Sequence, residues 1–380
     1  MEAKRKKILF FVKNIAMLET IILKLNPYLH DCDILVFHNS RMQPGRKHTE
    51  ARVDNIDVSC LSYSEIKHIL KEWSPDICVL YNFRGIIDQF FIRLCKASDI
   101  KIYFLAHGIL SDDVSTYKKI SSRGLWLRVK RLACQLRQYS SLICHSDSRM
   151  GELRIFHGIF FKNKFNLNPF DKYFVYGERD LNSLSRFYEL RRDENAFIVG
   201  FPIFESEEQK KLFTGSEGKE GGMGVLYVHQ PFILDNYAKI SYEEERTFLL
   251  NLANNLIPAY GRFTIMLHPR DDVRRYELLY EGTKVRVIQS PNDYKAYAGA
   301  DLVVGHYSTA LLYGLYFDIP TILIDYPTMK ANDLFKSIFQ SFESVQDALK
   351  AEIHVNKEAK LYMLGEHNTY QYIANCIEHF

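Results

Sequence analysis

Between residues 263 and 325, short apolar runs alternate with stretches of helix length, and few folds accept that alternation. The runs 263–267, 285–288, 302–304 and 321–324 are built mainly from Val, Ile, Leu and Phe. Most lack the every-second-residue polarity of a half-exposed strand, so they read as parallel strands buried on both faces. Polar residues follow three of them: His268-Pro269-Arg270, Gln289-Ser290, and Gly305-His306-Tyr307-Ser308-Thr309. In open α/β sheets, ligands bind beyond the carboxyl ends of the strands, where these residues fall. Ser308 or Thr309 is expected to cap a helix over 310–316, leaving backbone N–H groups and a positive dipole end that suit a phosphate. Each residue also has an ordinary reading, His268 as a loop histidine and Ser308 as a plain cap. Their placement at successive strand ends is what singles them out.

The same alternation runs through the rest of the chain. Strands are expected at 7–12, 34–37, 58–61, 77–81, 101–105, 155–161, 173–176 and 197–199, with helices over 16–25, 64–72, 86–96 and 180–186. A second series opens with the strand 225–228, then His229-Gln230-Pro231. The helix that follows, over 243–256, carries Phe248, Leu249, Leu252 and Leu256 on one side. The charged, glycine-rich stretch 205–224 divides the series into a domain 1–204, a linker 205–224 and a domain 225–380. At the end of the strand 101–105 stands His107-Gly108. Imidazole titrates near neutrality and suits proton abstraction, although Gly108 also serves a plain turn against which His107 packs. Asp112 and Asp113 offer a nearby carboxylate. Asp31-Cys32-Asp33 spells a metal-binding pattern but precedes a strand instead of ending one, so no metal is expected there.

Charge narrows the partners. The 380 residues carry 49 Lys and Arg against 46 Asp and Glu, a balance too even for a nucleic-acid binder. The basic residues are unevenly placed: 117–138 holds seven of them and no acid, interleaved with Leu125, Trp126, Leu127, Val129, Leu132 and Leu136. Three uses fit: lying on an anionic membrane surface, packing as a solvated helix, or neutralising an anionic acceptor polymer. The seven cysteines are scattered with no C-x-x-C pair, which points to a reducing compartment without a disulfide framework or zinc site. No apolar run approaches the roughly 20 residues of a spanning helix. The apolar run 8–12 after the basic start is too short for a leader. A cytoplasmic protein is therefore expected, with peripheral contact at the inner face of the membrane as an option. The phosphate-loop, serine-hydrolase-elbow and H-E-x-x-H patterns are missing from the sequence.

His268, Pro269, Ser308 and Thr309 together resemble the donor site of bacterial GT-B glycosyltransferases of capsule and lipopolysaccharide synthesis, in particular the sialyltransferase and polysialyltransferase group. The His107-Gly108 step is similar to that of the CDP-glycerol glycerophosphotransferases, whereas sialyltransferases usually carry an acidic pair and glycine there. The resemblance implies a GT-B-like α/β fold, two Rossmann-like doubly wound domains facing a central cleft, with the donor on the C-terminal domain. It implies an inverting, metal-independent transfer of a sialic acid or related keto-acid sugar from a CMP-linked nucleotide-sugar donor to a glycan or glycolipid acceptor, with no separate cofactor. His268, Pro269, Arg270, Gln289, Ser290, His306, Ser308 and Thr309 would bind the donor. His107, or Asp113, would take the acceptor's proton. The alternatives are CDP-glycerol-type polyol-phosphate transfer, a UDP-sugar transferase or epimerase on the same fold, or a non-catalytic glycan-binding partner.

Overall fold

The computed structural model describes residues 5–13, 21–39, 53–107, 122–146, 148–162, 169–215, 224–234, 238–289, 295–331 and 333–380. They divide into two compact units. The first runs up to Lys211 and also takes in Gly365–Phe380, so the last sixteen residues leave the expected block 225–380; the second is Leu212–Leu364.

The first unit is built on a seven-stranded parallel sheet of order β3-β2-β1-β4-β5-β6-β7. Its strands are β1 Lys6–Val12, β2 Cys32–His38, β3 Asn55–Asp57, β4 Ile77–Leu80, β5 Lys101–Leu105, β6 Lys172–Val175 and β7 Ala196–Ile198. The second unit repeats the plan with six parallel strands in the order β10-β9-β8-β11-β12-β13. These are β8 Val225–Val228, β9 Phe263–Leu267, β10 Val285–Gln289, β11 Leu302–Gly305, β12 Thr321–Ile324 and β13 Gln340–Phe342. Both units are Rossmann-like doubly wound sheets. In each, the strand order reverses beside the unit's first strand, between β1 and β4 and between β8 and β11, and a crevice opens at such a reversal.

Local chemistry sets the helices of the second unit. Ser241 Oγ accepts the Glu244 N–H while the Glu244 carboxylate accepts the Ser241 N–H at 2.7 Å, a capping box that starts the helix Tyr242–Tyr260. Leu249, Leu252, Ala253 and Leu256 bury one face of it against Tyr227, Ile265 and Val304 of the sheet. The helix Leu311–Tyr316 rides close on β11 and β12 because residue 314 is glycine: a Cβ there would lie 2.3 Å from Thr321 Oγ1.

The structure differs from the expected elements in several places. The strand over 58–61 is instead Asn55–Asp57: Asp57 Oδ1 accepts the Ser59 N–H at 2.9 Å and turns the chain away. The strand over 155–161 is part of the helix Arg149–Lys162, in which Phe156 packs against Tyr139 and Glu152 pairs with Arg93. A short apolar run fits a buried strand and a packed helix equally well, and here side-chain partners on neighbouring helices decide. The linker contains a helix, Glu207–Gly215. The basic segment is helical over Ser122–Cys144, its residues 117–121 lying outside the described residues. The helix expected over 16–25 is described only from residue 21.

Candidate functional site

The β8/β11 reversal brings together residues far apart in sequence. After β8 comes His229-Gln230, and after β11 comes His306-Tyr307-Ser308. Gln230 Nε2 donates to Ser308 Oγ at 2.9 Å, spanning the crevice position between the two strands. Ser308 does not cap the following helix as expected. Its Oγ accepts the Ala310 N–H at 3.1 Å, and the helix begins one residue later with no side-chain cap. Neither Ser308 nor Thr309 is the N-cap because the turn is tightened before the helix starts. Thr309 is exposed, Ser308 is buried, and the exposed Tyr307 ring leans edge-on against Phe335. His306 points inward: it is buried, meets Phe232 edge-to-face at 5.3 Å, and its Nδ1 lies 3.3 Å from the Ile324 carbonyl. Burial lowers its pKa, opposed only in part by that carbonyl and by Asp325, so the ring is neutral.

On the other side of β8, the turn after β9 holds His268-Pro269-Arg270. Pro269 and Arg270 are exposed. His268 Nδ1 accepts the Arg270 N–H at 3.1 Å, which assigns the ring proton to Nε2 and makes that nitrogen a donor. Gln289, expected at the donor, directs its amide to the carbonyls of His268, Pro269 and Asp271 at 3.2–3.3 Å and braces the turn. Asp113 and Ser290, with Asp112, lie outside the described residues.

Beneath this turn is a buried ionic cluster that the sequence reading missed. His229 Nδ1 faces Asp271 Oδ2 at 2.8 Å and its Nε2 faces Glu245 Oε1 at 3.0 Å, with all three side chains at most 4% exposed. Tyr276 donates to Glu245 Oε2 at 2.6 Å, and Tyr326 donates to Glu245 Oε1. Desolvation pulls the His229 pKa down, but hydrogen bonds and charge from Asp271 and Glu245 outweigh it and raise the value to about 9. Burial pushes Glu245 up, yet His229 and the two tyrosines hold it below its ordinary value. The cluster is thus an imidazolium between two carboxylates. One signal was readable: Glu245 falls on the same helical stripe as Leu249, Leu252 and Leu256, where an acid is out of place without a buried partner.

The first unit treats its own reversal differently. Asp88, in the first turn of the helix Ile86–Ala97, is buried; it accepts the Gly85 N–H at 2.9 Å and pairs with Lys13 at 2.5 Å. Burial raises its pKa and Lys13 opposes the rise. A carboxylate of the protein itself thus fills the place where a helix end would receive an anion. His107, after β5, keeps an exposed edge and meets Tyr81 edge-on at 6.3 Å. Protein packed around the ring desolvates it and lowers its pKa. Among the described residues, no group of three or more His, Cys, Asp or Glu side chains is placed to hold a metal ion, and no helix is long and apolar enough to cross a membrane.

No family model matches the sequence, and no curated protein matches it. Solved structures do match its fold. A UDP-GlcNAc 2-epimerase from Methanocaldococcus jannaschii superposes with a TM-score of 0.53 at 14% identity, over 99% of this chain and 100% of that one. The same archaeon's UDP-GlcNAc 2-epimerase in complex with UDP-GlcNAc and UDP gives 0.51 at 13%, with the same coverage. MurG from Acinetobacter baumannii gives 0.54 at 9% identity, covering 99% and 100%. The wall teichoic acid polymerase TagF gives 0.52 at 11%, covering 99% and 89%. At such identities the likeness is one of fold, and the fold is GT-B-like.

Proposed function

We propose that this protein is a transferase that uses a nucleotide-activated donor, held by the second unit at the β8/β11 reversal. The observation that carries this reading is the Gln230–Ser308 bridge at that reversal, beside a turn that presents Arg270 and a donor nitrogen of His268. Ser308 and Gln230 would meet phosphate oxygens, and Arg270 would pair with them as a planar cation. These donors stabilise the charge that grows on a leaving nucleotide, a form of catalysis needing no proton transfer to the donor. The blocked reversal of the first unit supports the second as the donor site. His107 would take the proton from the acceptor hydroxyl; its lowered pKa keeps the ring unprotonated at neutral pH.

The donor class supported best is a nucleotide diphosphate, either a UDP-sugar or a CDP-glycerol-type donor, ahead of the CMP-linked keto-acid sugar. The fold likeness to an epimerase seen with UDP-GlcNAc and UDP favours a diphosphate. Transfer is favoured over epimerisation because, among the described residues, the carboxylates hydrogen-bonded at the site, Glu245 and Asp271, are buried and engaged by His229 and the His268 N–H. A thermal-shift panel of UDP, CDP, CMP, GDP and ADP, without and with magnesium, tests the reading. UDP or CDP should stabilise the protein by about 2.7 kcal/mol at a hundredfold excess over Kd, and Arg270→Ala should remove most of the shift. A response to CMP alone would restore the CMP-sugar donor. Silence across the panel would overturn the reading.

The acceptor side is proposed to work at an anionic membrane surface. On the helix Ser122–Cys144, Val129, Leu132 and Leu136 are 50%, 47% and 38% exposed at helical spacing, and Lys130 and Arg137 are exposed beside them. Residues 114–170 carry eleven Lys and Arg against two acids, in a chain whose net charge is only +3. Each cation near an anionic surface contributes roughly 1 kcal/mol. Vesicles containing anionic lipid should therefore sediment the protein and zwitterionic vesicles should not. Leu132→Asp should weaken that binding several-fold without moving the unfolding midpoint. Equal binding to both vesicle types would remove the charge argument.

A further inference from the structure

We infer that His229 is a positioning residue: shared between Glu245 and Asp271, it fixes the Asp271 carboxylate, which holds the His268-Pro269-Arg270 turn. Asp271 Oδ2 accepts from His229 Nδ1 at 2.8 Å and from the His268 N–H at 3.0 Å. In return the Asp271 N–H donates to the His268 carbonyl at 2.9 Å, closing the turn on itself. The carboxylate thus has one foot in the core and one on the exposed turn. Glu245 holds the far side of the imidazolium, and Tyr276 from the helix Val273–Leu279 and Tyr326 from beyond β12 hold Glu245 in turn. Four segments of the second unit therefore converge on the geometry of three residues.

Stability alone does not account for such a device. Apolar side chains of similar volume hold a core as well as a buried ion pair does, and often better. What an apolar core cannot do is orient a carboxylate lone pair at a particular backbone N–H. With that bond in place, the Arg270 backbone N–H stays on His268 Nδ1 and the two donors, His268 Nε2 and the Arg270 side chain, project from a fixed backbone. The cluster sets where donors stand and takes no part in bond making.

This inference rests on the proposed donor site for its functional half, and the test separates the two. Backbone hydrogen exchange in the full chain reads the clamp directly, with no ligand. In His229→Gln, the amides of His268 and Asp271 should exchange at least about tenfold faster, while those of β11 and β12 keep their protection. Unchanged protection at His268 and Asp271, or uniform loosening throughout the unit, would overturn it. If His229→Gln does not fold, Glu245→Gln leaves His229 and Asp271 in place, and the same two amides should still be the ones that loosen; if they are not, the inference fails. For the nucleotide that stabilises the wild type, Kd should rise about tenfold in the folded variant, with turnover at saturation changed less than about threefold. A loss of turnover at unchanged Kd would overturn the positioning role. Should the wild type bind none of the nucleotides, the donor-site reading falls while the exchange result still decides the clamp.

Discussion

Replacing Glu245 by alanine should destabilise the second unit by about 3–5 kcal/mol, the usual cost of removing one member of a buried ionic cluster. Glu245 accepts from His229, Tyr276 and Tyr326, so its removal leaves the imidazolium with Asp271 alone and takes the acceptor from two buried hydroxyls. Both tryptophans, Trp73 and Trp126, belong to the first unit, so their fluorescence should report a transition little changed. Far-UV dichroism, which follows both units, should show an early unfolding step in urea. Glu245→Gln, which keeps shape and one acceptor, should cost less. The pH dependence follows with its sign. The folded pKa of His229 is raised to about 9 from an ordinary 6.5, so its contribution is full below 6.5 and is lost as pH rises through 9. The folded pKa of Glu245 is lowered, so its contribution is present above its ordinary 4.5 and is lost as pH falls below that. The urea midpoint of the second unit should therefore fall between pH 6.5 and 9.5, and Glu245→Ala should flatten that fall. A wild-type midpoint unmoved over the interval would mean that His229 is not held as a cation.

Replacing His107 by alanine should lower turnover by about 10²–10⁴-fold, the range for loss of a general base. The unfolding midpoint should move by no more than about 0.5 kcal/mol, because the ring keeps an exposed edge. Its pKa is lowered by the protein around it, so the acid limb of the wild-type rate profile should lie below the ordinary 6.5 and the rate should be flat at neutral pH. Added imidazole should recover part of the loss at pH above its own pKa. A variant with wild-type turnover would remove His107 from the chemistry, and the proton would then leave through another group.

Five strands of the second unit's sheet were readable from their apolar runs, and Phe263–Leu267 and Thr321–Ile324 begin and end where those runs do; the half-buried edge strand Gln340–Phe342, in a run that reads as helix over 335–342, was not. The edge strand Asn55–Asp57 was not, since an edge strand has little apolar surface to bury and an aspartate turn decides where it stops. The helix Arg149–Lys162 hid for a related reason: its 155–161 run lacks a polar face, and its partners Arg93 and Tyr139 stand in other segments. At the site, His268 and Ser308 were visible as polar residues ending apolar runs. The partners that give them geometry were not. Gln230 lies 78 positions from Ser308, and Glu245 lies 16 from His229 behind two other glutamates that serve as surface pair and cap. Chemical type at a strand end can be read along the chain; which carboxylate reaches which imidazole is settled by packing.

The return of Gly365–Phe380 to the first unit has a consequence for how the molecule is made. Ile373, Ala374, Cys376 and Ile377 are buried in a core whose other members are nearly all made before residue 200, and Lys6 reaches across to the Glu378 carbonyl. As the chain leaves the ribosome, that core waits with an open apolar face while the second unit is synthesised and can close its own sheet at residue 342. The later-made unit is thus positioned to finish first, and the earlier-made one is sealed by a helix made after it.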